Sequence, residues 1–237
     1  MYIPFEMEFT LQSISNGKLL LIDKPLEWTS FQAVNKIRWG LRSKFNLKKL
    51  KVGHAGTLDP LATGLLLICT GKMTKKIGEL QALEKTYTGT ITLGATTPSF
   101  DSETPIDKKF KITHLNDEAL IAAKEKFKGE IYQSPPLFSA IKKEGKRLYE
   151  YARAGKQIEI KSRKIKIHRF DFKKIELPDI AFEVQCSKGT YIRSLANDFG
   201  KSVDSGGYLS TLRRIKIGPF KVVNALTPKE FIEKLEL

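Results

Sequence analysis

The chain has 237 residues, 41% of them hydrophobic, enough for one large domain or for a domain with an appendage. No apolar run approaches the roughly 18 residues of a membrane span. Two distant cysteines and three scattered histidines argue against a structural zinc site, and 41 Lys+Arg against 26 Asp+Glu leave a net charge of +15 that favours a polyanionic partner.

Residues 1–17, beginning MYIPFEMEFTLQSIS, contain two glutamates and no continuous apolar core. They match neither a secretory signal nor a transit peptide and are expected to form a short, dispensable extension. Together with Cys69 and Cys186, read as reduced core residues, this predicts a cytoplasmic protein. KLLLID (18–23) predicts a buried strand ended by Lys24-Pro25. SFQAVNKIRWGLRSKF then places Phe31, Val34, Ile37 and Leu41 at helical spacing, opened by Thr29 or Ser30 as the cap. Seven basic residues and no acid lie between Lys36 and Lys51. GHAGTLDPLATG (53–64) reads as a loop or as a helix start at Asp59, because Asp59 precedes Pro60 and a residue before proline is pushed out of the helical region.

GLLLICTG predicts a second buried strand. KTYTGTITLGATT predicts a third, alternating Tyr87, Gly89, Ile91 and Leu93. LNDEALIAAKEKFKGE predicts a helix with Leu120, Ala123 and Phe127 on one face. From Lys142 to Lys174, thirteen basic residues meet four acidic ones. Three further alternating segments follow: RKIKIHRFDFKKIEL, IAFEVQCSKGTYIRSL and RRIKIGPFKVV. In the second, Gly189 invites a turn, after which Tyr191 and Arg193 are expected to alternate on one strand face; SLANDFGKSV reads as a helix. Without a regular βαβ rhythm, the fold class expected is α+β, a mixed and largely antiparallel sheet flanked by helices.

Tests of individual sites leave little standing. TGKMTKK fails as a phosphate loop, since Leu66 occupies the first glycine position and Met73 follows the lysine. A glycosidase needs two carboxylates across the scissile bond, and Asp59 has no acidic neighbour in sequence. His54 alone reads as a loop histidine. An arginine such as Arg193 beside Asp59 would keep that carboxylate ionised.

Taken together, the segments are far more specific. LLLIDKP…TS, GHAGTLDPLATGLLLICTG, EKTYTGTITLG, SPPLFSAIKKEGKRLYEYARAGK, CSKGTYIR and LRRIKIGPF resemble, in order and spacing, the TruB class of tRNA pseudouridine synthases. The resemblance spans roughly residues 18–220 and implies the pseudouridine-synthase fold. It also implies isomerisation of uridine 55 in the TΨC arm of tRNA, in which the base leaves its stack and C5 of uracil replaces N1 on the ribose. On this resemblance Asp59 is the catalytic aspartate, acting either as nucleophile or as base on a ribose proton, with Arg193 as its partner. Tyr87 stacks on the target base, His54 fills the space it vacates, and Tyr191 and Leu212 line the uracil pocket. No cofactor and no metal are implied, and a monomer is expected. A basic thumb-like insertion at about 134–165 would clamp the RNA by shape and phosphate contacts. Three departures accompany the match. Glu27 stands where glycine is common, residues 1–16 precede the usual start, and residues 18–237 are expected to form the catalytic domain without a C-terminal PUA domain. The rival from another class is a non-catalytic tRNA-binding folding chaperone, which would have no use for Asp59 together with Tyr87 and Arg193.

Overall fold

A computed structural model describes residues 9–139, 141–156 and 158–236. The chain divides into two compact units, one formed up to Tyr87 and again from Arg213, the other from Thr88 to Leu212.

The first unit opens with α1 (Leu11–Asn16), β1 (Leu19–Lys24), α2 (Ser30–Lys44), β2 (Val52–His54) and β3 (Ala62–Thr70). A 3-10 turn at Gly71–Lys76, α3 (Ile77–Ala82) and the start of β4 (Lys85–Leu93) follow. β1 runs antiparallel to β3, with Leu21 opposite Leu67 and Asp23 opposite Leu65, and β2 pairs with the far end of β3. β3 reads as a continuous apolar run because both of its faces are covered. Leu66 and Ile68 pack with Val34, Ile37 and Leu41 of α2, while Leu65 and Leu67 pack with Ala55, Ile217 and Val222.

Of the two caps expected, Thr29 is the one observed, and it caps α2 in a reciprocal box with Gln32. The buried face is formed by Ala33, Val34, Ile37, Gly40 and Leu41; Phe31, expected on it, is 64% exposed. At 100° per residue Phe31 lies well away from the Ile37 direction, so the spacing rule admitted one residue too many. The expectation of a dispensable N-terminal extension also needs correction for residues 11–16. Ile14 of α1 is fully buried in the core, and its carbonyl accepts from Thr70 Oγ1 at 3.0 Å. Residues 1–8 of that extension lie outside the described residues.

The second unit contains the rest of β4, then β5 (Ala95–Thr96), β6 (Lys108–Lys109), α4 (Asp117–Glu125) and β7 (Gly129–Gln133). It continues with β8 (Lys142–Lys143), β9 (Lys146–Arg147), α5 (Leu148–Arg153), β10 (Arg163–Glu176), β11 (Asp179–Cys186), α6 (Ile192–Ser202) and the start of β12 (Gly207–Ile217). Strand order here is β12-β4-β11-β10-β7, with β10 antiparallel to both neighbours. Phe199 of α6 meets Phe170 and Phe172 edge-to-face at centroid distances of 6.2 and 5.4 Å, seating the helix on the sheet. Phe127, expected on α4, lies just past its end and meets Phe199 at 5.9 Å. The rest of β12, β13 (Phe220–Lys221) and α7 (Pro228–Glu236) return to the first unit, where order β1-β3-β12 holds and Phe231, Ile232 and Leu235 cover α2. The expected α+β class, a largely antiparallel sheet flanked by helices, is the class observed.

One element differs from expectation. Tyr191 and Arg193 do not alternate on a strand: β11 ends at Cys186, Gly189 turns at φ 83°, and Tyr191 is the N-cap of α6. The apolar residues Ile192, Leu195, Ala196 and Phe199 recur at helical spacing, and this period overrides the short alternation before it.

Candidate functional site

Asp59 lies in the loop between β2 and β3, and the loop is held by its backbone. Ala55 N donates to Leu67 O at 2.9 Å, and Ala62 N closes a turn on Asp59 O at 3.1 Å. No helix starts at Pro60; a turn over Pro60–Leu61 leads straight into β3. Ser30, the first residue of α2, grips Leu58 twice: its Oγ accepts from Leu58 N at 2.8 Å and donates to Leu58 O at 3.0 Å. Arg214, 1% exposed, donates from Nε to Leu65 O at 2.8 Å, from Nη2 to Gly56 O at 3.0 Å and from Nη1 to Thr57 O at 3.5 Å. Gly64 at φ 105° lets β3 pass Arg214, since a Cβ there would lie 2.7 Å from the arginine's backbone nitrogen.

Lys24 completes the cradle from β1. Its ammonium is fully buried and donates to the carbonyls of Pro25 (2.8 Å), Trp28 (2.6 Å) and Pro60 (3.3 Å). Glu27, in the same turn, donates its backbone N–H to Pro60 O at 2.9 Å. It does so at φ 64°, the left-handed conformation for which glycine is the low-cost residue, so the turn survives with glutamate in the strained position. Neither Lys24 nor Arg214 carried a role at the site in the sequence, and Ser30 appeared only as a possible helix cap. The available signals were a lysine closing an apolar strand and an arginine inside RRIKI.

These cations set the local electrostatics. Burial pushes Lys24 down to about 8, with the Asp59 charge opposing and the Arg214 charge reinforcing that shift. Burial, and then Arg214, hold His54 below its ordinary value, so this imidazole is neutral at neutral pH. For Lys24 the linkage has a definite sign. Between about 8 and 10.5 the unfolded chain holds a proton that the folded chain has released, so stability rises with pH across that window. Lys24→Met removes the rise. The wild-type minus variant unfolding free energy, from urea titrations at pH 7.5 and 10.5, should increase by up to about 3 kcal/mol. A pH-independent difference would mean that Lys24 titrates normally.

Of the other residues singled out by sequence, Tyr87 sits on β4 in the first unit, 8% exposed. Tyr191, Arg193 and Leu212 belong to the second unit. Tyr191 is fixed by both backbone groups to the Gln133 amide, at 2.8 and 3.0 Å, and the Arg163 guanidinium lies 4.8 Å from its ring centroid. Arg193 is 4% exposed; Nη1 donates to Ser99 O at 3.0 Å and Nε lies 3.5 Å from Asp101 Oδ2. Asp101, which the sequence reading did not name, is itself held by Ser99 Oγ (2.6 Å) and Glu103 N (3.0 Å). A buried guanidinium with a buried carboxylate is thus built into the start of α6. Leu212 is half-buried on β12.

Within 134–165, β8 and β9 form a hairpin through Glu144 (φ 52°) and Gly145 (φ 80°), the geometry of a type I′ turn. It presents Lys143, Lys146 and Arg147, and α5 follows directly with Leu148 buried. Cys69 and Cys186 are buried and in no disulfide, and burial raises the Cys69 thiol to about 11. Among the described residues no cluster of His, Cys, Asp or Glu is placed to hold a metal ion, and no helix is long and apolar enough to cross a membrane.

Residues 42–192 match the model of the TruB family pseudouridylate synthase N-terminal domain. The chain is 60% identical over 228 residues to a protein of Flavobacterium johnsoniae named tRNA pseudouridine synthase B, covering 96% of this chain and 100% of that one. It is 50% identical over 221 residues to a protein of the same name from Chloroherpeton thalassium, covering 93% and 91%. Among solved structures, a chain from the crystal structure of a Cbf5-Nop10-Gar1 complex superposes with a TM-score of 0.71 at 29% identity, covering 98% of this chain. The chain spans 58% of the length of that one.

Proposed function

The chain belongs to the TruB family of pseudouridylate synthases, and from that premise we propose that it isomerises uridine 55 in the TΨC arm of tRNA to pseudouridine. The tRNA substrate is supported by the name its relatives carry, and by the net charge of +15. In this reading Asp59 acts at the ribose of the flipped nucleotide, by attack or by proton removal. The C1′–N1 bond breaks, uracil turns, C5 bonds to C1′, and the C5 proton is lost as N1 regains one. The elements balance without a donor, acceptor or water. Tyr87 and Tyr191 enclose the uracil with Leu212, His54 occupies its place in the stack as a neutral ring, and Arg193 keeps the reacting carboxylate ionised. Residues 134–165 hold the RNA arm, and residues 18–237 serve as the catalytic domain, working as a monomer in the cytoplasm.

The observation that carries the reading is the loop itself. A carboxylate needs a fixed position to react, and the Asp59 backbone is pinned on both sides by groups that are themselves buried: Arg214, Ser30 and Lys24. The test is to incubate an unmodified tRNA transcript with the protein and map pseudouridine at nucleotide resolution. A single new pseudouridine at position 55, lost when that uridine is replaced by cytidine, is expected. Modification at another position would overturn the site assignment, and none at all would overturn the activity.

A further inference from the structure

The outer face of α2 carries a feature that the catalytic loop does not use. Trp39 is 62% exposed, and it lies 200° around the helix from fully buried Ile37, near the point farthest from the core. Packing gives no reason for an indole there. Around it the charge has one sign: no acidic residue occurs between Glu27 and Asp59. Lys36 lies one turn before Trp39 with its ammonium 5.5 Å from the ring centroid, and Arg42 lies one turn after it, anchored through Nε to Leu47 O at 3.0 Å. Lys48, Lys49 and Lys51 extend the exposed basic strip toward β2. Phe31, two turns before Trp39 and 64% exposed, adds a second ring. The near end of α2 is the end that grips the Asp59 loop through Ser30, so Trp39 stands about 13 Å along the helix from that anchor.

From this we infer that the outer face of α2 is a second RNA-binding surface, on which Trp39 stacks a nucleobase while Lys36 and Arg42 hold the flanking phosphates. The occupant is the substrate tRNA, away from its target nucleotide; the inference therefore rests on the tRNA reading above. An exposed aromatic ring between cations is the arrangement that takes a strand by stacking and by counterion release together. Charge complementarity excludes an acid-poor partner, and the indole distinguishes a base-bearing polyanion from a merely acidic one.

The experiment uses the full chain in a Trp28→Phe background, leaving Trp39 as the only tryptophan, and an unmodified tRNA transcript as the probe. Trp39 emission should be quenched on binding. Trp39→Ala should weaken the dissociation constant about tenfold and Trp39→Phe should recover most of it. Lys36→Gln with Arg42→Gln should flatten the dependence of log affinity on log salt by roughly 1.5. Unfolding midpoints of the variants should match that of the Trp28→Phe parent, because Lys36, Trp39 and Arg42 are all exposed. Unquenched emission with unchanged affinity and slope would overturn the inference. Competition by polyglutamate as strong as by tRNA would overturn it in favour of an acidic protein partner. If tRNA is bound with these signatures but not modified, the activity reading fails and the surface stands. If tRNA is modified while the variants bind as wild type, only the surface fails.

Discussion

Asp59→Asn is expected to lower pseudouridine formation by more than about 1,000-fold while leaving tRNA affinity within about threefold of wild type. The substitution preserves shape and removes the charge. The loop should keep its path, because its anchors act on the backbone of Gly56, Thr57, Leu58 and Pro60. Single-turnover rates and filter-binding constants for the same transcript separate the two effects. A parallel fall in affinity and rate would make Asp59 a structural residue. One electrostatic side effect has a known sign: the Asp59 charge raises the Lys24 pKa, so its loss should move that lysine below about 8.

Arg214→Met should be the most damaging change away from the reacting groups. It removes a buried guanidinium and leaves the carbonyls of Leu65, Gly56 and Thr57 without their donor. The expected cost is about 3–5 kcal/mol of unfolding free energy, read from urea midpoints, with a fall in turnover at saturating tRNA. Arg214→Lys should recover little, because an ammonium cannot reach three divergent carbonyls as a planar fork does. Near-wild-type stability together with wild-type turnover would show that the loop holds its shape without this arginine.

The fold was legible wherever burial and period agree. β3 declared itself as an unbroken apolar run because both faces are covered, and α2 declared its start through a capping residue, Thr29. The failures have physical causes. Tyr191 and Arg193 follow a strand with clean alternation, and nothing local marks the change of period until Ile192, Leu195 and Phe199 are read together. Phe31 satisfies the helical spacing but lies outside the arc that α7 covers. Of the candidate site, the residues proposed to carry the chemistry were named from the sequence, and those that hold the Asp59 loop were not. Lys24 and Arg214 are among the largest fully buried side chains, yet composition assigns such cations to the surface. Asp101 is an ordinary loop aspartate in sequence and becomes the partner of Arg193 only through the fold.

The buried ammonium of Lys24 behaves as a cation tethered by its own side chain. Three carbonyls converge on it as they would on a small bound ion, but this ion cannot be diluted, chelated or exchanged. Ions in solution screen such an enclosed charge far less than they screen the exposed lysines of α2 and the exposed Lys146 and Arg147 of the β8–β9 hairpin. The protein therefore has two separate responses to salt. Added salt should strip the RNA from its basic surfaces while the loop that carries Asp59 keeps its shape, so catalysis should return as soon as the RNA does.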